Sequence, residues 1–174
     1  MGPWMSQQEI NTIVKYLKPD DVMLEYGCGG STVFFCNYVR EYYSVEHNRE
    51  WYQKMLKQKK KNTTLFYVDR NEITSESERI HANSWEQLYS SSRYNDFRDY
   101  IHFPKSIGKI FDAVLIDGRA RPECSRFIFD HIKDGGIVFM HDYWTRKRYH
   151  VAEERYKLID AVKTGQSLAV LKKI

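Results

Sequence analysis

Five short apolar runs, each separated from the next by segments with helical spacing, constrain the fold of this chain more than any other feature. Asp21–Glu25 (DVMLE), Glu41–Glu46 (EYYSVE), Thr63–Val68 (TTLFYV), Phe111–Ile116 (FDAVLI) and Ile137–Met140 (IVFM) have the length and the β-branched and aromatic content of strands. Between them, Ser31–Arg40 carries Phe34, Phe35, Tyr38 and Val39 on one face. Asn48 caps a helix with Trp51 and Met55, and Pro122 opens one bearing Phe127, Ile128 and Ile132, with Gly135 and Gly136 after its end. Strands that alternate with helices form a mostly parallel, doubly wound sheet, because right-handed crossovers place helices on both faces. Lys157–Val162 and Ser167–Lys172 flank Thr164-Gly165-Gln166, which predicts a closing antiparallel hairpin. The fold class is therefore α/β.

Two segments stand outside this alternation. Within residues 1–20, Ser6 with Glu9 makes a capping box, and Ile10, Ile13, Val14 and Leu17 follow at helical spacing, giving an amphipathic entry helix. Residues 70–109 are polar and irregular, apart from a helix opened by the box Ser84–Gln87, and read as an insert that shapes a binding pocket. With 174 residues and 42% hydrophobic content, the chain is expected to form one domain around a genuine core.

Composition narrows the function classes. Cys28, Cys36 and Cys124 are odd in number and lack CxxC spacing, which argues for reduced thiols rather than a disulfide framework or a zinc site. No long uncharged apolar run or leader pattern appears, so the sequence predicts no membrane association and a cytoplasmic protein. The formal charge of +4 is concentrated at Lys54, Lys57, Lys59, Lys60 and Lys61 and at Arg146, Lys147 and Arg148. The lysines sit where a helix ends and complement its dipole, so they do not call for nucleic acid as a partner. Nothing in the sequence specifies an oligomeric state.

Ligands of such sheets bind outside the carboxyl ends of the strands. There the sequence places EYGCGGST (Glu25–Thr32), then Glu46, Asp69, Asp117, and His141 with Asp142. Glycines at 27, 29 and 30 bare the backbone for a close ligand while the next helix presents its positive end. Glu46 lies 19 residues after Gly27, near the spacing of about 20 expected for an acid that holds ribose hydroxyls. Glu25 would repel a pyrophosphate but suits the ammonium of an amino-acid moiety.

At these residues the chain resembles the class I S-adenosylmethionine-dependent methyltransferases, and is most similar in motif to the small-molecule O-methyltransferases. The resemblance runs from Asp21 onward: EYGCGGS matches the first motif, with Ser31 replacing its last glycine, and YSVEHN supplies the ribose acid. YVDRN supplies a polar residue for the adenine, and FDAVLIDG and KDGGIVFMHD match strands four and five. It implies a Rossmann-like fold and S-adenosylmethionine held by Glu25, Gly27, Gly29, Gly30, Ser31, Thr32, Glu46, His47, Asp69 and Asp117.

The same resemblance bears on the acceptor. Enzymes acting on base amines or glutamine carry a D/N-P-P-aromatic motif after strand four, where this chain has DGRARP; a small-molecule hydroxyl fits better. Catechol-type enzymes hold a divalent cation between acids at strands four and five, which implies Mg2+ on Asp117 and Asp142, activating a substrate hydroxyl. Those carboxylates equally suit ion pairs with Arg119, Arg121 or Arg146 and no metal. Asp117, His141 and His150 are the candidate catalytic groups. WTRKRYH reads as a wall for an anionic or aromatic acceptor, and Trp85, Tyr89, Tyr94, Tyr100 and Phe103 as either pocket or core. The alternative function is a non-catalytic module that keeps the nucleoside site and engages RNA or a protein through its basic segments.

Overall fold

In the computed structural model, which describes residues 1–174, a single seven-stranded sheet runs in the order β3-β2-β1-β4-β5-β7-β6. β1 (Val22–Tyr26), β2 (Glu41–Glu46), β3 (Thr63–Tyr67), β4 (Phe111–Ile116) and β5 (Ile132–His141) pair in parallel. β7 (Leu168–Lys173) lies antiparallel between β5 and β6 (Tyr156–Val162). Every position of β1 is buried, as expected for a central strand covered on both faces.

Alternate residues of each central strand feed opposite layers. Leu24, Tyr26, Val114, Ile116, Val138 and Met140 pack under α4 (Ser92–His102) and α5 (Arg121–Ile128). Met23, Ala113, Leu115, Phe139 and Val170 pack on the other side with Ile13 of α1 (Gln7–Tyr16) and Phe35 of α2 (Gly30–Phe35). The capping box of α1 is present, with Ser6 N donating to Glu9 Oε2 at 2.7 Å. From its last turn Lys15 Nζ and Tyr16 Oη each donate to Asp160 Oδ2 at 2.9 Å, fastening the entry helix to β6. No helix is long and apolar enough to cross a membrane, and all three cysteines are free and buried.

The structure departs from the sequence reading where side chains compete with the regular pattern. α2 stops at Phe35 instead of running to Arg40, because Asn37 Nδ2 donates to the carbonyls of Val33 and Phe34 and a 3-10 turn, Cys36–Tyr38, follows. β5 starts five residues before the expected Ile137. Gly135 (φ +73°) and Gly136 lie within it, where the pairing with β4 shifts register between Phe111 and Ala113, as a bulge requires.

The insert is more ordered than residues 70–109 suggest. Ser84 makes no side-chain cap, and Trp85–Ser90 is a 3-10 segment. The true helix is α4, capped by Ser91 Oγ, which accepts from Tyr94 N at 3.1 Å. It was hidden because a buried acid interrupts its apolar face. Asp96 accepts from Thr74 N (2.8 Å) and Thr74 Oγ1 (2.5 Å) and so pins the start of the insert to the helix. Trp85, Phe97 and Tyr100 are core residues, and Tyr89 stacks on Tyr94 beneath Arg126; the aromatic residues of the insert stabilise the domain rather than line a pocket.

Candidate functional site

The carboxyl ends of β1, β2 and β4 surround a cleft of about 710 Å³, lined by Gly27, Gly29, Ser31, Glu46, Trp51 and Asp117 among others. Its floor is a contact between two loops. Gly27 has φ +92°, and a Cβ placed there would lie 2.7 Å from Gly118 Cα and 2.8 Å from Gly118 N, so only glycine lets the turn after β1 meet the turn after β4. Gly30 lies against the backbone of Gly2, which brings Met1, Gly2 and Trp4 into the cleft wall.

Glu25 is fully buried behind the loop, not on the cleft wall. Its carboxylate accepts from Ser31 Oγ, from Thr32 Oγ1 at 2.5 Å and from Ser44 Oγ at 2.7 Å. Burial raises its pKa to about 7 against the pull of those three hydroxyls. Three hydroxyls engage the oxygens of this acid, which shapes the loop, and Thr32 Oγ1 also accepts from Gly29 N at 2.9 Å.

Glu46 does stand on the cleft wall, only 4% exposed, with Oε2 accepting from Cys28 N (3.0 Å) and Oε1 from His47 N (2.9 Å) and Asn48 N (2.7 Å). Three backbone amides hold the carboxylate at one angle, and one of them belongs to the glycine loop. His47 also lines the cleft and packs edge-on against Phe97 and Tyr100 of α4. Trp51, on α3 (Arg49–Leu56), is one the sequence reading does not place at the site; its indole N–H donates to Cys28 O and its ring faces the cleft beneath Lys54. The one available signal was position, a single turn after the Asn48 cap that follows Glu46. Asp69 is exposed and outside the cleft lining, with Oδ1 turned to its neighbour's amide, Arg70 N, at 2.9 Å.

At the β4 and β5 ends the two acids are joined by an ion network. Asp117 Oδ1 lies 2.8 Å from His141 Nδ1 and 3.3 Å from Arg121 Nη2. Arg121 Nη1 is 3.1 Å from Asp142 Oδ2 and donates to His141 O at 2.6 Å, and Nε donates to Gly118 O at 2.9 Å. One donor atom each from Asp117, His141 and Asp142 lies within 4.8 Å of the others. Yet the guanidinium already bridges both carboxylates, and imidazole is a poor match for a hard cation that wants oxygen ligands. These residues do not fit Mg2+. Arg121→Ala is expected to lower stability by about 2 kcal/mol in urea denaturation, since two acids lose their shared cation.

Neither His141 nor His150 lines the cleft. His141 is buried behind Asp117, and its Nε2 lies 3.3 Å from Glu9 Oε1 of α1, close enough for charge attraction but off the hydrogen-bond direction. Burial is the largest influence on His141 and pushes its pKa down. The hydrogen bond and charge of Asp117, with the charges of Asp142 and Glu9, outweigh it and leave the pKa raised. His141 thus lies behind Asp117 with Nδ1 2.8 Å from its Oδ1. His150 stacks on Tyr143 with ring centres 4.5 Å apart, away from the cleft lining.

The strand order, the reversed β7 and the glycine-loop cleft define the Rossmann-like fold of class I methyltransferases. Solved structures share it across nearly the whole chain. A methyltransferase-like protein from Silicibacter pomeroyi is 24% identical, with 98% of this chain and 87% of that one covered at TM-score 0.68. A candidate caffeoyl-CoA O-methyltransferase from Staphylococcus aureus is 12% identical (99% and 86% covered, TM-score 0.60), and an rRNA methylase from Streptococcus thermophilus is 13% identical (96% and 95%, TM-score 0.57). No protein-family model matches the chain, and neither does any curated protein. At these identities the likeness is one of fold, shared by a candidate caffeoyl-CoA O-methyltransferase and an rRNA methylase alike.

Proposed function

We propose that the protein transfers a methyl group from S-adenosylmethionine to a small-molecule acceptor, at a hydroxyl. The observation that carries this reading is Glu46: a carboxylate fixed by three amides, one from the glycine loop, at the wall of a cleft large enough for a nucleoside. The residues present fit the cofactor, because Glu46 Oε2, which accepts only from Cys28 N, keeps a lone pair for a ribose hydroxyl while Gly29 and Gly30 leave backbone free of side chains. Gly27 closes the floor, Ser31 and His47 offer polar contacts, and Trp51 offers an aromatic face.

When bound, S-adenosylmethionine supplies an electrophilic methyl group. The chain's own part is to place and deprotonate the nucleophile. Asp117 is the best-placed acid: its side chain is 24% exposed on the cleft, Oδ1 is held by His141 and Arg121, and Oδ2 has no protein partner and is free to take a hydroxyl proton. His141 and Arg121 are positioning residues in this scheme. Transfer to a hydroxyl rather than to a base amine is supported by Asp117-Gly118-Arg119 standing where amine-directed enzymes place Pro-Pro.

Calorimetric titration with S-adenosylhomocysteine tests the reading. The wild-type protein is expected to bind it, and Glu46→Ala to weaken binding by about 1–3 kcal/mol through lost charged hydrogen bonds. Unchanged affinity in Glu46→Ala would count against the ribose role. Turnover of S-adenosylmethionine on a panel of hydroxylated acceptors tests the chemistry, and tight binding with no turnover on any of them would point instead to a binding module. Added Mg2+ is expected to change neither rate nor melting temperature.

A further inference from the structure

Beside the cofactor cleft lies a second, smaller pocket of about 70 Å³, walled by the first turn of α5, the turn after β4, the 3-10 segment Lys147–Glu154 and the insert. The two cavities share Gly118, Arg119 and Arg121. Arg121 and Arg146 are engaged with Asp117 and Asp142, but Arg93, Arg119 and Arg148 line the small pocket with no carboxylate within 4.0 Å. Burial, and then repulsion from Arg79, Arg148 and Arg119, holds the pKa of Arg93 below its ordinary range. Only one acid lines this pocket, Glu123. Its Oε1 accepts from Ser91 Oγ at 2.6 Å and its buried Oε2 has no partner. Burial raises the pKa of Glu123, against the opposing influence of Ser91, Arg148 and Arg93, which favours the neutral form.

Arg93 is half-buried, and Arg119 and Arg148 are exposed at the pocket's rim; three unpaired guanidiniums sharing one concavity repel one another less when an anion joins them, and guanidinium forks match the oxygen pairs of carboxylates and phosphates. We infer that this pocket holds the anionic end of the methyl acceptor, a single phosphate or carboxylate group on a small molecule, with the acceptor hydroxyl reaching past Gly118 to Asp117. The identity of the occupant as acceptor rests on the function proposed above; the anion site itself does not. Size favours a small molecule over a nucleic-acid strand. A volume of about 70 Å³ has room for a few waters or one oxyanion, not for successive nucleotides. The buried ring of Tyr149 forms part of its wall, with the guanidiniums of Arg121, Arg146 and Arg148 each within 6 Å of the ring centre.

Calorimetry with inorganic phosphate, with acetate and with a short single-stranded RNA tests the proposal, using the full chain with and without S-adenosylhomocysteine. Phosphate or acetate is expected to bind the wild type, and whichever binds more tightly identifies the anion. Arg93→Gln and Arg148→Gln should each weaken that binding by about tenfold or more. Arg98→Gln, exposed on α4 and paired only with Asp99, should leave it unchanged. All three variants should keep wild-type affinity for S-adenosylhomocysteine, which also shows that they are folded. The proposal is overturned if neither anion binds, if binding survives both pocket substitutions, or if RNA alone binds in an Arg93- and Arg148-dependent way. Failure of the wild type to bind S-adenosylhomocysteine while phosphate still binds would overturn the methyltransferase reading and the acceptor role together, and would leave only the anion site.

Discussion

Gly27→Ala is expected to abolish measurable S-adenosylhomocysteine binding while the far-ultraviolet dichroism of the sheet persists. Two independent costs meet at this residue. A φ of +92° lies in a region that costs a residue with a Cβ about 1–3 kcal/mol. The added Cβ would also stand 2.7 Å from Gly118 Cα and 2.8 Å from Gly118 N, backbone atoms that cannot swing aside as a side-chain tip could. Gly118 is itself confined, because a Cβ there would meet the Tyr100 hydroxyl of α4 as well as Gly27 N. The loops after β1 and β4 must therefore part, and the cleft loses its floor. A loss of about 100-fold or more in affinity is the expected scale. Gly29→Ala is the informative comparison. Its Cβ would meet Ser31 Oγ and the Trp51 indole at an ordinary 3.8 Å, so the fold should tolerate it with little change in melting temperature. Binding by Gly27→Ala within about threefold of wild type would show that the contact between the two loops is not what forms the site.

Glu25→Ala should lower the unfolding free energy by about 3–5 kcal/mol, because three buried hydroxyls lose their common acceptor and a cavity opens behind the glycine loop. Glu25→Gln separates charge from shape. With an ordinary pKa of 4.5 in the unfolded chain and about 7 in the folded one, the native protein binds the proton more tightly. The associated stability is fully present below pH 4.5, falls as pH rises toward 7 and is absent above it, a change of about 3 kcal/mol. The raised pKa of His141 acts with the same sign, favouring the folded state at low pH and losing that contribution as pH rises through the folded pKa. Urea midpoints measured across this range should decline for the wild type and decline less steeply for Glu25→Gln. Parallel curves for the two proteins would mean that Glu25 does not titrate in this window.

The comparison of Glu25 with Glu46 shows how far the residues alone could be read. Both are acids at strand ends beside the same glycines. Glu46 was recognisable from spacing, since a separation of 19 residues places one βα unit between it and Gly27. The inward turn of Glu25 depended on Ser31, Thr32 and Ser44, and Ser44 belongs to a different strand, so no local pattern announces that its carboxylate is already filled. Arg121 is a similar case. Its sequence position after Asp117 allowed an ion pair or a bystander, and only the approach of β5 to β4 brings Asp142 within 3.1 Å and makes the guanidinium the bridge. The pocket of Arg93, Arg119 and Arg148 draws on three separate segments, and the first lies on a helix whose apolar face is interrupted by Asp96.

The sequence by itself determined the alternation of strands and helices, the closing hairpin, the entry-helix cap and the rim on which polar groups collect, because periodicity, caps and strand-end position are local properties of the chain. Tertiary structure alone decided which rim acids face the cleft, that a guanidinium lies between Asp117 and Asp142, and that arginines from the insert and the β5–β6 connection share a pocket. Those outcomes depend on distances between segments remote in the chain, and desolvation and pairing at those distances set what each charged group can do.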